Sequence, residues 1–181
     1  MFLPLDTERL LLRKVEQTNA GFVLTALSND ELTKYMLIRY YTLNEVQEQM
    51  DYYANHYKNN TGYYWLMQNK ITNESIGIIG INNISALHKK AEMGFWLLQM
   101  FNNKGYVTEA AKAVLHFCFN NLKLNRVEAT VETQNSASIK VIEKIGFTYE
   151  GTFKEYEANN GVFIDLMMYG LLAKEYFAII D

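Results

Sequence analysis

The chain has 181 residues, 49% of them hydrophobic, a formal net charge of -3 and one cysteine. A chain of this length can bury roughly 70% of its unfolded surface in one core, so a single domain over residues 1–181 is expected. Its acidity leaves no basic footprint for nucleic acid, the lone Cys118 excludes an internal disulfide, and His56, His88 and His116 lack ligand spacing, so no metal site is expected.

The start of the chain, Met1 to Leu5, is too short for a signal-peptide core and lacks its basic flank. No apolar run approaches a membrane span, so a cytoplasmic protein without membrane association is expected. Arg9 to Val15 reads as a strand and Asn19 to Leu27 as a short helix. Thr42-Leu43-Asn44-Glu45 is a capping box opening a helix whose apolar stripe is Leu43, Val46, Met50, Tyr53, Ala54 and Tyr57. Tyr63 to Gln68 and Ser75 to Asn82 form a hairpin across Thr72-Asn73-Glu74. A strand around Glu92, a helix from Thr108, a strand over Arg126 to Glu132 and a helix from Ser136 make a βαβα unit whose two strands should be parallel neighbours. Cys118, between Phe117 and Phe119 on the first of those helices, reads as a buried, inert thiol. Thr148 to Tyr156 and Val162 to Leu171 close the chain as an antiparallel hairpin turning at Asn159-Asn160-Gly161.

Within the βαβα unit, Asn102-Asn103-Lys104-Gly105-Tyr106-Val107-Thr108 joins strand to helix through small polar residues. The first N–H groups of a helix lack intrahelical partners and sit at the positive end of its dipole, so this junction suits a phosphate, and Gly105 lets the backbone approach. The loop matches neither Gly-x-Gly-x-x-Gly nor the Walker pattern. Taken alone, it also fits an ordinary strand-to-helix turn hinged at Gly105.

Four segments, in order, resemble the GNAT superfamily of N-acetyltransferases: Glu8-Arg9-Leu10-Leu11-Leu12-Arg13, Glu92 to Ala111, Asn135 to Phe147, and Glu150-Gly151-Thr152 through Asn160-Gly161 to Asp165. The likeness is greatest to the Rim-type branch, which acetylates the N-terminal alanine or serine of ribosomal proteins. It implies a mixed, mostly antiparallel α/β sheet with a central parallel strand pair and helices on both faces. It also implies acetyl-CoA as cosubstrate, with the pyrophosphate on Asn102 to Thr108 and pantetheine pairing with the backbone of Phe95, Trp96 and Leu97. Asn102 and Val107 depart from the family pattern, and the bulk of Val107 is expected to reduce affinity.

By the same resemblance Asn135 bonds the pantetheine arm and Ser138 lies near the sulfur as proton donor; both residues also suit capping of the helix from Ser136. Lys140 and Lys144, four apart on one face, either meet the 3'-phosphate or form a solvated face. Glu92 and Glu157 are the candidate bases, each also readable as a surface charge. Tyr35, Tyr40 and Tyr41 lie where the family covers its acceptor. The expected activity is acetyl transfer to a primary amine, foremost a protein N-terminal α-amine, by direct attack on the thioester. The alternatives are a small amine (polyamine, amino acid or aminoglycoside) and a non-catalytic acyl-CoA-binding module. Either a monomer or a homodimer is compatible with the sequence.

Overall fold

The computed structural model describes residues 2–180, so the outermost residues of the expected domain, 1 and 181, lie outside it. In chain order the elements are β1 (Leu5–Asp6), β2 (Leu10–Lys14), α1 (Ala20–Leu27), α2 (Asp30–Thr33), α3 (Leu43–Lys58), β3 (Tyr63–Asn69), β4 (Ser75–Ser85) and β5 (Lys90–Leu97). They continue with α4 (Tyr106–His116), β6 (Arg126–Glu132), α5 (Ser136–Lys144), β7 (Thr148–Asn159), β8 (Val162–Leu172) and α6 (Ala173–Ile180). All eight strands join one sheet in the order β1-β2-β3-β4-β5-β6-β8-β7, antiparallel except between β5 and β6. This is the mixed sheet with a central parallel pair that the sequence implies.

Helices cover both faces because the central strands are apolar on both. In β3, Trp65 and Leu66 are each 0% exposed yet point to opposite sides, as a period of two requires. On one side Trp65, Met67 and Ile79 pack with Ala110, Ala111 and Val114 of α4 and Ile142 of α5. On the other, Leu66, Ile78 and Trp96 pack with Val23, Ala26 and Leu27 of α1 and Val46, Met50 and Tyr53 of α3.

Several boundaries differ from expectation. The α3 capping box is present, Thr42 Oγ1 accepting from Glu45 N and Glu45 accepting from Thr42 N. The buried row, however, is Val46, Gln49, Met50 and Tyr53, while Leu43 and Ala54 are exposed. Only one edge of this helix meets the sheet, so positions at the margins of the apolar stripe stay in water. Helix α4 starts at Tyr106, two residues before Thr108, because Gly105 at φ 79 turns the chain directly into it. It runs on into a π turn over Phe117–Asn121. Cys118 is fully buried, and burial pushes its thiol pKa well up. In the β7–β8 hairpin, Asn160 and Gly161 both take positive φ, as a tight two-residue turn demands. Strands β1 and helices α2 and α6 have no counterpart in the sequence reading: the first two are very short, and α6 follows its strand without a turn.

Candidate active site

The start of α4 is built by three residues that bind each other across the fold. Glu109, in the helix's first turn, accepts from Thr7 Oγ1 at 2.6 Å, from Arg9 N at 2.7 Å and from Arg9 Nε at 2.6 Å. Arg9 Nη1 in turn donates to the carbonyl of Lys104 at 2.9 Å, and its guanidinium lies 4.6 Å from the Tyr106 ring centroid. Burial alone would raise the Glu109 pKa, but the hydrogen bonds from Thr7 and Arg9 outweigh it and hold the carboxylate below its usual range. The loop is thus pinned from outside, with Asn103 at φ 59 and Gly105 at φ 79 making the bend. The first intrahelical bond runs from Glu109 N to Gly105 O, which leaves the N–H groups of Tyr106, Val107 and Thr108 without intrahelical partners.

Next to this helix end the parallel strands separate. β5 and β6 pair only at Lys90↔Arg126, Ala91↔Val127 and Glu92↔Glu128. Charges close the paired end: Lys90 Nζ and Arg126 Nε meet Glu128 at 2.9 and 2.8 Å, and Arg126 reaches Glu150. Beyond Glu92, β5 stays bonded to β4 and β6 to β8, so the two facing edges carry unpaired backbone groups.

A cavity of about 740 Å³ opens at the separation, and most of the expected cofactor residues share its wall: Phe95, Trp96, Leu97, Asn102, Asn103, Gly105, Val107, Thr108, Asn135, Ser138, Lys140 and Lys144. Its size, the partnerless helix N–H groups and the two lysines fit an extended, phosphorylated thiol ester of the acetyl-CoA type. Lys104 and Tyr106 are not on that wall. The Lys104 ammonium packs over the Phe101 ring, and the Tyr106 hydroxyl takes a hydrogen bond from Asn69 at 3.2 Å, so both side chains serve the loop's fold. Val107 is 8% exposed, with most of its side chain drawn inward, so the bulk expected to obstruct a phosphate is largely buried.

Asn135 Oδ1 caps α5 by accepting from Ser138 N at 3.1 Å, which is the capping role foreseen for the pair. The cap holds Ser138 at the cavity wall, and its hydroxyl makes no hydrogen bond among the described residues.

Glu92 and Glu157 stand outside the wall. Glu92 Oε1 accepts from Thr130 Oγ1 at 2.7 Å, and Thr130 lines the cavity, so Glu92 is one hydrogen bond removed from it. Asn83 donates to the other Glu92 oxygen at 3.1 Å. A register shift in β7 between Phe153 and Glu157 brings Glu157 within reach of Glu92's field. Partial burial, then that negative charge, raises the Glu157 pKa. Of the three tyrosines assigned to the acceptor region, only Tyr35 reaches the cavity, together with Glu31 and Met36. Tyr40 donates to Gln49 at 3.3 Å, and Tyr41 is 63% exposed.

The sequence reading omitted Thr130, Glu132 and the Arg9–Glu109 lock. Strict polar–apolar alternation through Arg126 to Glu132 was the available signal for the first two. A contact between residues 100 positions apart leaves no local signature.

The family model of the acetyltransferase (GNAT) domain matches residues 9–148. The N-acetyltransferase p20 of Bacillus licheniformis is 35% identical over 173 residues, covering 95% of this chain and 97% of its own. The ribosomal-protein-serine acetyltransferase of Escherichia coli K12 is 32% identical over 96 residues, 53% of this chain and 54% of its own. The crystal structure of an acetyltransferase of the GNAT family from Bacillus anthracis superposes with a TM-score of 0.85 at 28% identity, covering 96% of this chain and 100% of the other.

Proposed function

The chain belongs to the GNAT acetyltransferase family, and from that premise we propose that its single domain, residues 1–181, acetylates the N-terminal α-amine of a protein of ribosomal type. The observation that carries this reading is the shared wall: Gly105, Val107 and Thr108 at the start of α4, Phe95 to Leu97 of the separated strand β5, Ser138 and Thr130 all border one cavity. Acetyl-CoA supplies an activated acyl group with a thiolate leaving group.

The chain's own residues then have three tasks. The loop from Asn102 to Thr108, with Lys140 and Lys144, binds phosphates, and Phe95 to Leu97 offer backbone partners to the pantetheine. The Glu92–Glu157 pair takes the proton from the acceptor ammonium, which frees the nitrogen lone pair to form the C–N bond as the C–S bond breaks. Glu157, its pKa raised by burial and by the charge of Glu92, is suited to accept that proton. Ser138 gives its hydroxyl proton to the departing sulfur and recovers one from solvent.

Acid–base arithmetic favours an α-amine. With a pKa near 7.7 to 8.0 it is about one-tenth neutral at pH 7, whereas a lysine side chain is roughly 2.5 units worse, about 3.4 kcal/mol. The similarity to the Escherichia coli ribosomal-protein-serine acetyltransferase points the same way. No helix among the described residues is long and apolar enough to cross a membrane, which suits the proposed cytoplasmic site of action.

A thiol-release assay at saturating acetyl-CoA tests the proposal with peptides beginning in Ser or Ala, the same peptides Nα-acetylated but carrying lysine, and spermidine. The free-α-amine peptides should give a kcat/KM at least about tenfold above the others, within the range a good α-amine preference allows. Preference for spermidine would overturn the protein acceptor. Tight CoA binding without thiol release from any amine would reduce the chain to a binding module.

A further inference from the structure

Among the described residues, two that are not glycine take a left-handed backbone inside a strand: Asn83 of β4 at φ 50 and Glu155 of β7 at φ 49. Asparagine tolerates this conformation, because its short amide can bond locally, but glutamate rarely adopts it. Something must hold Glu155 there. The holder is Asp165 of β8, whose Oδ1 accepts from Glu155 N at 2.8 Å. Asp165 is itself tied to the end of β6, its carbonyl accepting from Thr133 N at 3.2 Å.

The contact closes a bulge. Phe153 pairs with Leu166 and Glu157 with Ile164, so Lys154, Glu155 and Tyr156 all face the single residue Asp165. Phe153 and Tyr156, which a regular strand would send to opposite faces, stack instead with ring centroids 5.0 Å apart. Had the register continued from Phe153, Glu157 would stand opposite Val162 at the hairpin's tip. The bulge draws it two positions along β8, about 7 Å of strand, toward the rows where β8 meets Glu132 and Thr130. A shift of one position would have turned the side chain over; a shift of two keeps it on the face of Thr130, which bonds Glu92. Glu157 is accordingly half-buried between exposed Tyr156 and Ala158.

We propose that Asp165 is the positioning residue of the glutamate pair: its carboxylate latches the bulge and thereby sets Glu157 opposite Ile164, on the face that carries Glu92. The proposal rests on the reading of Glu157 as proton acceptor. The charged residues on the strands beside Glu157 are Lys154 and Glu155 of β7, Asp165 of β8 and Glu132 of β6, with Glu92 acting from β5. Loss of solvent first, and the charge of Glu92 second, raise the Glu157 pKa in this position.

Two substitutions separate the latch from the charge. Asp165→Ala and Asp165→Asn both remove the charge, but the Asn amide oxygen can still accept from Glu155 N. For any amine that the parent acetylates, Asp165→Ala should lower kcat by about tenfold or more at pH 7, with KM for acetyl-CoA changed by less than about threefold. Asp165→Asn should stay within about threefold of the parent, and adding Asp165→Ala to Glu157→Gln should cost no further rate, since both act through one carboxylate. Carboxyl NMR with labelled glutamate, the Glu157 signal assigned by its loss in Glu157→Gln, reads the placement without turnover. The Glu157 midpoint should lie above the ordinary glutamate range in the parent and in Asp165→Asn, and fall back toward it in Asp165→Ala. Four results would each overturn the proposal: equal losses in the Ala and Asn variants, losses that multiply in the double variant, a Glu157 midpoint unmoved in Asp165→Ala, or loss of the CoA-induced melting shift in that variant, which would make Asp165 a residue of the fold. If no amine releases thiol, the acetyl-transfer reading falls, and if Glu157→Gln is as fast as the parent, the proton-acceptor reading falls; in either case the carboxyl titration still decides whether Asp165 sets Glu157.

Discussion

In the proposed mechanism Ser138 and Glu157 handle protons at opposite ends of the reaction, so their variants should fail in different ways. Ser138→Ala should lower kcat by on the order of 10²-fold or more with little change in KM for acetyl-CoA, because charge appears on the leaving sulfur only as the C–S bond breaks. A drop under about threefold would leave Ser138 as part of the α5 cap alone. Glu157→Gln should be slow at neutral pH and converge with the parent near pH 8 to 9, where an α-amine deprotonates unaided; profiles that stay parallel would remove the glutamate pair from the mechanism. The same variant carries a stability signature. Because the folded-state pKa of Glu157 is raised, its contribution is fully present below the unfolded carboxylate value and is lost as pH rises through the folded value. Glu157→Gln should therefore melt higher than the parent at pH 7 and lose that advantage below about pH 4. The Asn135 cap was legible in the sequence, since one residue type at one helix position makes a local cap. The unpartnered Oε2 of Glu132 was not, because an unpaired oxygen is defined by the neighbours it lacks.

The element that organises the site is the loop entering α4, which depends on one glycine and one distant ion pair. Gly105 has φ 79, and a Cβ there would lie 3.4 Å from Arg9 Nη2, so space is tolerable and the backbone conformation is the obstacle. A left-handed backbone costs an ordinary L-residue roughly 1–2 kcal/mol, and a β-branched one more. Gly105→Val should retain its circular dichroism yet lose the CoA-induced melting shift; unchanged CoA affinity would show that the loop does not carry the phosphates. Arg9, Thr7 and Glu109 set the loop from behind. The depressed Glu109 pKa stabilises the fold above the unfolded carboxylate value of about 4.3, and that stability disappears as pH falls through the folded value. Acid titration of the melting temperature should accordingly be shallower in Glu109→Gln, which starts from a lower value at pH 7. The sequence marked this loop by its small polar residues and placed the helix start within two positions. It assigned the loop through its backbone N–H groups, whereas the contacts of the Lys104 and Tyr106 side chains with Phe101 and Asn69 belong to the fold alone.

At the scale of the whole molecule, binding in a cavity bordered by β5, β6, the α4 loop and α5 should tie these elements together. Acetyl-CoA should raise the melting temperature in proportion to RT ln(1 + [L]/Kd), about 2.7 kcal/mol at a concentration one hundred times Kd, while ATP or NAD should do much less. Equal stabilisation by all three would mean that the cavity reads the nucleotide and ignores the pantetheine. Periodicity and capping, which are local, determined the main strands and helices, the two hairpins and the order of the phosphate-loop motif, and the order of those motifs led to the family. The tertiary structure alone decided where β5 leaves β6, because separation is the ending of hydrogen bonds between strands distant in sequence. It also decided that Glu92 is hydrogen-bonded to Thr130, that Arg9 braces a loop 95 residues away, and that Glu132 Oε2 is left without a partner among the described residues. Each of these is a relation between side chains or backbones that meet only after folding, so no window along the chain contains it.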